Sequence, residues 1–117
     1  MRPTDWSALG LTGDPTPGDP VVIRGGAQKM RTVADMINRC AANLRALEVG
    51  SSQSESVKAL MESKKVIVDG ALAAEGRYRA TGEALESYAL VLDGVQSDTY
   101  DALVAARAAK ADAARAA

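Results

Sequence analysis

Between Val22 and Val95 the apolar residues recur at alternating three- and four-residue intervals, with one interruption at Gly50-Ser51-Ser52. Ahead of the interruption the stripe runs Ile23, Ala27, Met30, Ala34, Ile37, Ala41, Leu44. Behind it come Val57, Leu60, Ile67, Ala71, Ala74, Tyr78, Leu85, Tyr88, Leu92 and Val95, with Lys64 and Thr81 as polar interruptions. Such spacing collects apolar side chains on one face of a helix that packs against other helices. A single break with turn residues makes it a pair. The pattern therefore predicts an all-α fold: an antiparallel helical hairpin with a long or broken second helix, preceded by an irregular N-terminal strap.

Residues 1–20 have a different character. Pro3, Gly10, Gly13, Pro15, Pro17, Gly18 and Pro20 exclude a continuous helix, and Trp6, Leu9 and Leu11 give the segment three apolar contacts. It reads either as a strap pinned to the helices by Trp6 or as a docking peptide. Asp19 is placed to cap the first helix, with Pro20 at its first position, where the missing N–H costs nothing. That helix is expected to reach Glu48, about 42 Å at 1.5 Å per residue. Gly50 then stops it, and Ser52 with Glu55 forms a capping box that starts the second. So short a connection forces the helices antiparallel.

The second helix is expected from Gln53 to Gly94, about 60 Å if unbroken, with Gly70, Gly76 and Gly82 as candidate points for a bend. The hairpin thus covers 21–97. Residues 98–117 read as an Ala-rich C-terminal helix opened by Ser97 or Asp98. It runs to Arg115-Ala116-Ala117 with no terminator, as expected either of a piece of a longer protein or of a frayed natural end.

In heptad columns the first helix places Ala27, Ala34 and Ala41 beside the large residues Ile23, Met30, Ile37 and Leu44. Val33, Cys40 and Leu47 flank the alanines, and Arg24, Arg31, Asn38 and Arg45 line the opposite edge. Three apolar columns suit a bundle better than a two-stranded coiled coil. On the second helix Lys58 with Glu62, Lys65 with Asp69 and Arg79 with Glu83 read as weak pairs on a solvated face. Leu72 and Leu90 fall on positions that a simple hairpin would expose. Either residues 98–117 fold back over them or a separate chain covers them. Val33, Cys40, Leu47, Leu72 and Leu90 are accordingly the candidate partner interface.

Composition sharpens this picture. Hydrophobic residues make up 47% of the 117, but 23 of them are alanine and only 3% of the chain is aromatic, so the core is thin. Burying one hairpin face gains at most about 25 cal/mol per Å², against about 1–2 kcal/mol of backbone entropy per ordered residue. A helical partner would help. Fourteen basic and fifteen acidic residues leave a net charge of −1, which argues against a general nucleic-acid binder. A helix pair reading nucleic acid through Arg24, Arg31 and Arg45 is a weaker alternative. Cys40 is the single cysteine, expected as a buried small side chain, and there is no histidine. No catalytic constellation, cofactor motif or metal-ligand spacing stands out, so enzyme activity is not expected. No run approaches the ~20 apolar residues of a membrane span, and no direct membrane insertion is expected.

The opening Arg2-Pro3-Thr4-Asp5-Trp6-Ser7-Ala8-Leu9-Gly10-Leu11, followed by Asp14-Pro15-Thr16-Pro17-Gly18-Asp19-Pro20, resembles the start of actinobacterial type VII (ESX) secretion signal domains. Those lie at the N-termini of polymorphic toxins and related effectors and are similar to WxG-type helical hairpins. Tyr78, Ala80, Ala84-Leu85, Tyr88-Ala89 and Leu92 extend the likeness down the second helix, over roughly residues 2 to 104. The resemblance implies a targeting module that pairs with a small WxG-like helical protein, with itself, or with both. It also implies presentation of an attached effector to the type VII secretion ATPase. The chain would be cytoplasmic before export, then secreted or associated with the cell envelope. Two features depart from the family pattern. The turn lacks the Trp-x-Gly, and Tyr88 is followed by an acid, Asp93, one place later than in the usual export signal. A different class of reading is a homodimeric four-helix bundle with no role in secretion.

Overall fold

The computed structural model describes residues 2–47 and 54–116. Among them the chain is helical with no strand: a 3-10 turn at Ser7–Leu9, helix α1 at Pro20–Ala46 and helix α2 at Glu55–Ala116. The expected hairpin is present, with α1 and α2 packed antiparallel. Of the expected turn, Gly50 and Ser52 lie outside the described residues, whereas Glu55 is the first residue of α2. The Val57 N–H donates to Ser54 Oγ at 3.3 Å, so Ser54 caps α2. At α1 the expectation holds: Asp19 Oδ1 accepts from the Val21 N–H at 2.9 Å, and Pro20 is the first helical residue.

Of the two alternatives for the second helix, the long one is observed, passing Gly70, Gly76 and Gly82 without interruption; its expected end at Gly94 needs correction. It continues through Ser97 and Asp98, so residues 98–116 do not start a new helix. Alanine and leucine after Asp98 favour continuation, and no proline or glycine stops it.

The chain divides into two compact units, residues 24–86 and residues 1–23 with 87–117. In the first, Ala27, Ala34 and Ala41 are fully buried along α1, facing Val68 and Gly82 on α2. A Cβ added at Gly82 would lie 3.2 Å from the Ala27 carbonyl oxygen. The two backbones therefore approach closely, which only small residues allow. This close seam sets the register of α2. The column at Val57, Lys64, Ala71 and Leu85 is half-buried, though Tyr78 in the same column is exposed, and its neighbour is displaced by one residue. Val68, Glu75 and Gly82 turn inward, while Leu60 and Ile67 stay at the edge.

In the second unit the leader packs on residues 87–107 of α2. Trp6, 1% exposed, shares a core with Ala89, Leu92 and Leu103. The 3-10 turn that carries Trp6 inward is capped by Asp5, which accepts from the Ser7 N–H at 3.0 Å. Gly10, at a φ of +72°, closes it. The Trp6 indole N–H donates to the Pro3 carbonyl at 2.9 Å, and the Arg2 guanidinium lies 5.1 Å over its ring. Of the two readings of the leader, the strap pinned by Trp6 is the one observed.

Candidate partner-binding face

At 100° per residue, residues three, four and seven apart share a side of a helix, and in the 24–86 unit the two long sides of the hairpin differ. One side is bridged by charge. Arg31 pairs with Glu86 at 3.2 Å, and Arg79 donates to Asp35 at 2.9 Å and to Glu75 at 2.8 Å. Asn38 Nδ2 donates to the other Glu75 oxygen at 3.1 Å. The hydrogen bonds from Asn38 and then Arg79 hold the Glu75 carboxyl below its usual range, against a smaller opposing effect of desolvation. Arg79 thus pairs across to α1 and back to Glu75, not with Glu83 as its spacing suggested. Lys58 lies 3.9 Å from Glu55.

The opposite side carries no charge over five turns. On α2 it comprises Ser56, Ala59, Leu60, Ser63, Val66, Ile67, Gly70, Ala73 and Ala74. Leu60, Val66 and Ile67 are 55%, 71% and 58% exposed. Beside them on α1 lie Val33, Ile37, Cys40, Leu44 and, 61% exposed, Leu47. A shallow concavity at its edge is lined by Ala59, Glu62, Ser63, Val66 and Ile67.

Three of the five expected interface residues, Val33, Cys40 and Leu47, therefore share this face. Val33 is half-buried. Cys40 is exposed, which corrects its expected burial: the neighbouring Ala41 takes the place in the seam. Leu72 is half-buried on the ion-paired side, and Leu90 belongs to the other unit, where it is exposed on α2. Tyr88 and Asp93 are also exposed in that unit. Sequence reasoning placed Leu60 and Ile67 inside and passed over Val66 and Gly70. The signal that finds them is the absence of any charged residue on one side of the helix from Ser56 to Ala74.

The leader unit holds the other concentration of polar chemistry. Arg2 Nε donates to Asp14 at 2.6 Å, and the rest of its guanidinium donates to Asp14, Thr16, Thr99 and the Gln96 carbonyl at 2.9 to 3.2 Å. Gln96 is buried and donates to the carbonyls of Thr16 and Gly18 at 2.9 and 2.8 Å. Arg107 donates to the Asp5 carbonyl at 2.7 Å. The Arg2 hydrogen bond is the main cause that lowers the Asp14 pKa. These side chains are occupied in holding the leader. A solvent-open cleft beside it is lined by Arg2, Asp14, Gly18, Asp19 and Gln96.

Among the described residues there is no group of three metal-ligating side chains and no helix long and apolar enough to cross a membrane. The fold and this face define a helical hairpin with one charged and one uncharged side. No family model, curated protein or solved structure matches the chain.

Proposed function

We propose that this chain is a non-catalytic docking and targeting module that binds a helical partner across the uncharged side of its hairpin. In this reading it presents an attached effector or toxin to a type VII secretion ATPase, and is cytoplasmic until export. The observation that carries the docking role is the charge-free face of the 24–86 unit with its exposed Leu60, Val66 and Ile67. Water-exposed apolar residues in one continuous patch mark an interaction site, and a helix laid into such a patch is a recurrent recognition mode. The secretion role rests on the resemblance of the leader. Arg2, Trp6 and Thr16, which carry that resemblance, also fasten the leader to α2, with Asp14 holding the Arg2 guanidinium in place.

The test is export of an attached cargo from a cell with a type VII system. Ile67→Glu, placed on an exposed position, is expected to leave the helical signal intact and to lower export at least tenfold. Export at the normal level from a folded Ile67→Glu chain would reject the targeting role of this face.

A further inference from the structure

The charged side of the hairpin is a ladder that stops short. Arg31 meets Glu86, Asp35 meets Arg79, and Asn38 meets Glu75. Seven residues on from Asn38 and seven back from Glu75, the same antiparallel register sets Arg45 across from Val68, which offers no carboxylate. One turn before Val68 stand Lys64 and Lys65. The Lys64 Nζ donates to the Leu47 carbonyl at 2.7 Å, which fixes that ammonium at the end of α1. Arg45, Lys65 and Asp69 make no ion pair among the described residues, although Lys65 and Asp69 are spaced for one.

These side chains surround an open hollow of about 230 Å³, lined by Arg45, Met61, Lys64, Lys65, Val68 and Asp69. Val68 is 5% exposed and forms its apolar floor, with Met61, 55% exposed, beside it. We propose that this hollow seats an acidic peptide segment, with a carboxylate between Arg45 and Lys65 and a neighbouring apolar side chain on Met61 and Val68. The site is separate from the uncharged side and does not depend on what docks there.

Three observations select that ligand. Like charges from two helices converge where the ladder leads an anion to be expected, and a guanidinium matches a carboxylate through paired hydrogen bonds. The volume falls below the about 300–1,000 Å³ of sites that enclose a whole drug-sized ligand, so it suits one or two side chains of a peptide. The flexible Met61 thioether on the wall can adapt to an apolar side chain of variable shape. Asp69, on the same rim as the cations, repels a second negative charge, which favours an isolated carboxylate over a polyanion.

Fluorescence anisotropy of the full chain with a short labelled peptide of glutamate and leucine is expected to show saturable binding. Glutamine in place of glutamate in the peptide should weaken it about tenfold, as should Arg45→Ala combined with Lys65→Ala. Arg77→Ala removes an exposed cation elsewhere on α2 and should leave binding unchanged. Met61→Ser keeps the net charge and should weaken binding, and the Met61 methyl NMR signal should move on titration. A folded chain that does not bind the peptide overturns the proposal. So does equal weakening by Arg77→Ala, the mark of diffuse attraction, and so does indifference to Met61→Ser. Binding of inorganic phosphate, or of vesicles rich in phosphatidylserine, that matches the peptide and is lost with Arg45→Ala would overturn the peptide as the ligand. None of these variants alters Leu60, Val66 or Ile67, so export of the Ile67→Glu chain tests the docking reading independently.

Discussion

The two units bury α2 by opposite means. In residues 24–86 the cover is another helix, the seam is alanine and glycine, and polar groups stay at one edge as ion pairs exposed to solvent. In the leader unit the cover is an irregular strand of chain whose carbonyls have no helical partners. Polar side chains satisfy them, Gln96 from inside for Thr16 and Gly18 and Arg107 from the surface for Asp5. The comparison teaches what each cover costs. Helix against helix demands small residues and leaves large ones unburied at the side; chain against helix demands one large anchor and a set of placed hydrogen bonds.

The sharpest way to break the leader unit is to remove its anchor. Trp6→Ala should cost about 3–5 kcal/mol, read as lost hydrogen-exchange protection in residues 89–103, with the amides of 27–44 keeping theirs. The seam is broken from the other direction, by adding atoms. Gly82→Leu forces a side chain toward the Ala27 backbone oxygen. The overpacking cost of about 1–3 kcal/mol should exceed the helix propensity gained. Thermal unfolding should therefore fall for Gly82→Leu and rise for Gly70→Ala, whose added methyl meets open space.

Replacing Gln96 with leucine keeps the bulk but leaves two leader carbonyls without their donor. About 1–3 kcal/mol should be lost, and the change in leader packing is readable in Trp6 fluorescence. The smallest effect is the pH dependence of Asp14. Its folded pKa is lowered by the Arg2 hydrogen bond, so its contribution is complete above the ordinary carboxylate range. It is lost as the pH falls below about 4 through the lowered folded value. Asp14→Asn should flatten that part of the acid unfolding curve.

Much of the hairpin was legible because its signals are local. Asp19-Pro20 announces a helix start through groups that satisfy each other within one turn, and the alanine column of α1 reads directly as a seam. The inward column of α2 was not legible. Glu75 and Gln96 stand in it, and a carboxylate or amide in a sequence argues for the surface. Each is inside or half-inside because a partner far along the chain meets it, Asn38 for Glu75 and the leader carbonyls for Gln96. Cys40 was misplaced by the same one-residue ambiguity, since cysteine and alanine both suit a seam and only the helix rotation chooses between them. Val33, Cys40 and Leu47 lie together on the candidate face because they flank the alanine column that the structure buries. The α2 residues were assigned to the core.

The sequence alone determined that an antiparallel helical hairpin forms and where α1 begins; that α2 runs on through Asp98 and that Trp6 pins the leader took the structure. The first two depend on residues close together in the chain. Only the tertiary structure decided the rotation of α2 about its axis, and with it which side of the hairpin is uncharged. Rotation is fixed by how closely Gly82 can approach Ala27, a distance between residues 55 positions apart in the sequence. A helix with apolar residues on more than one side has no local reason to choose among them.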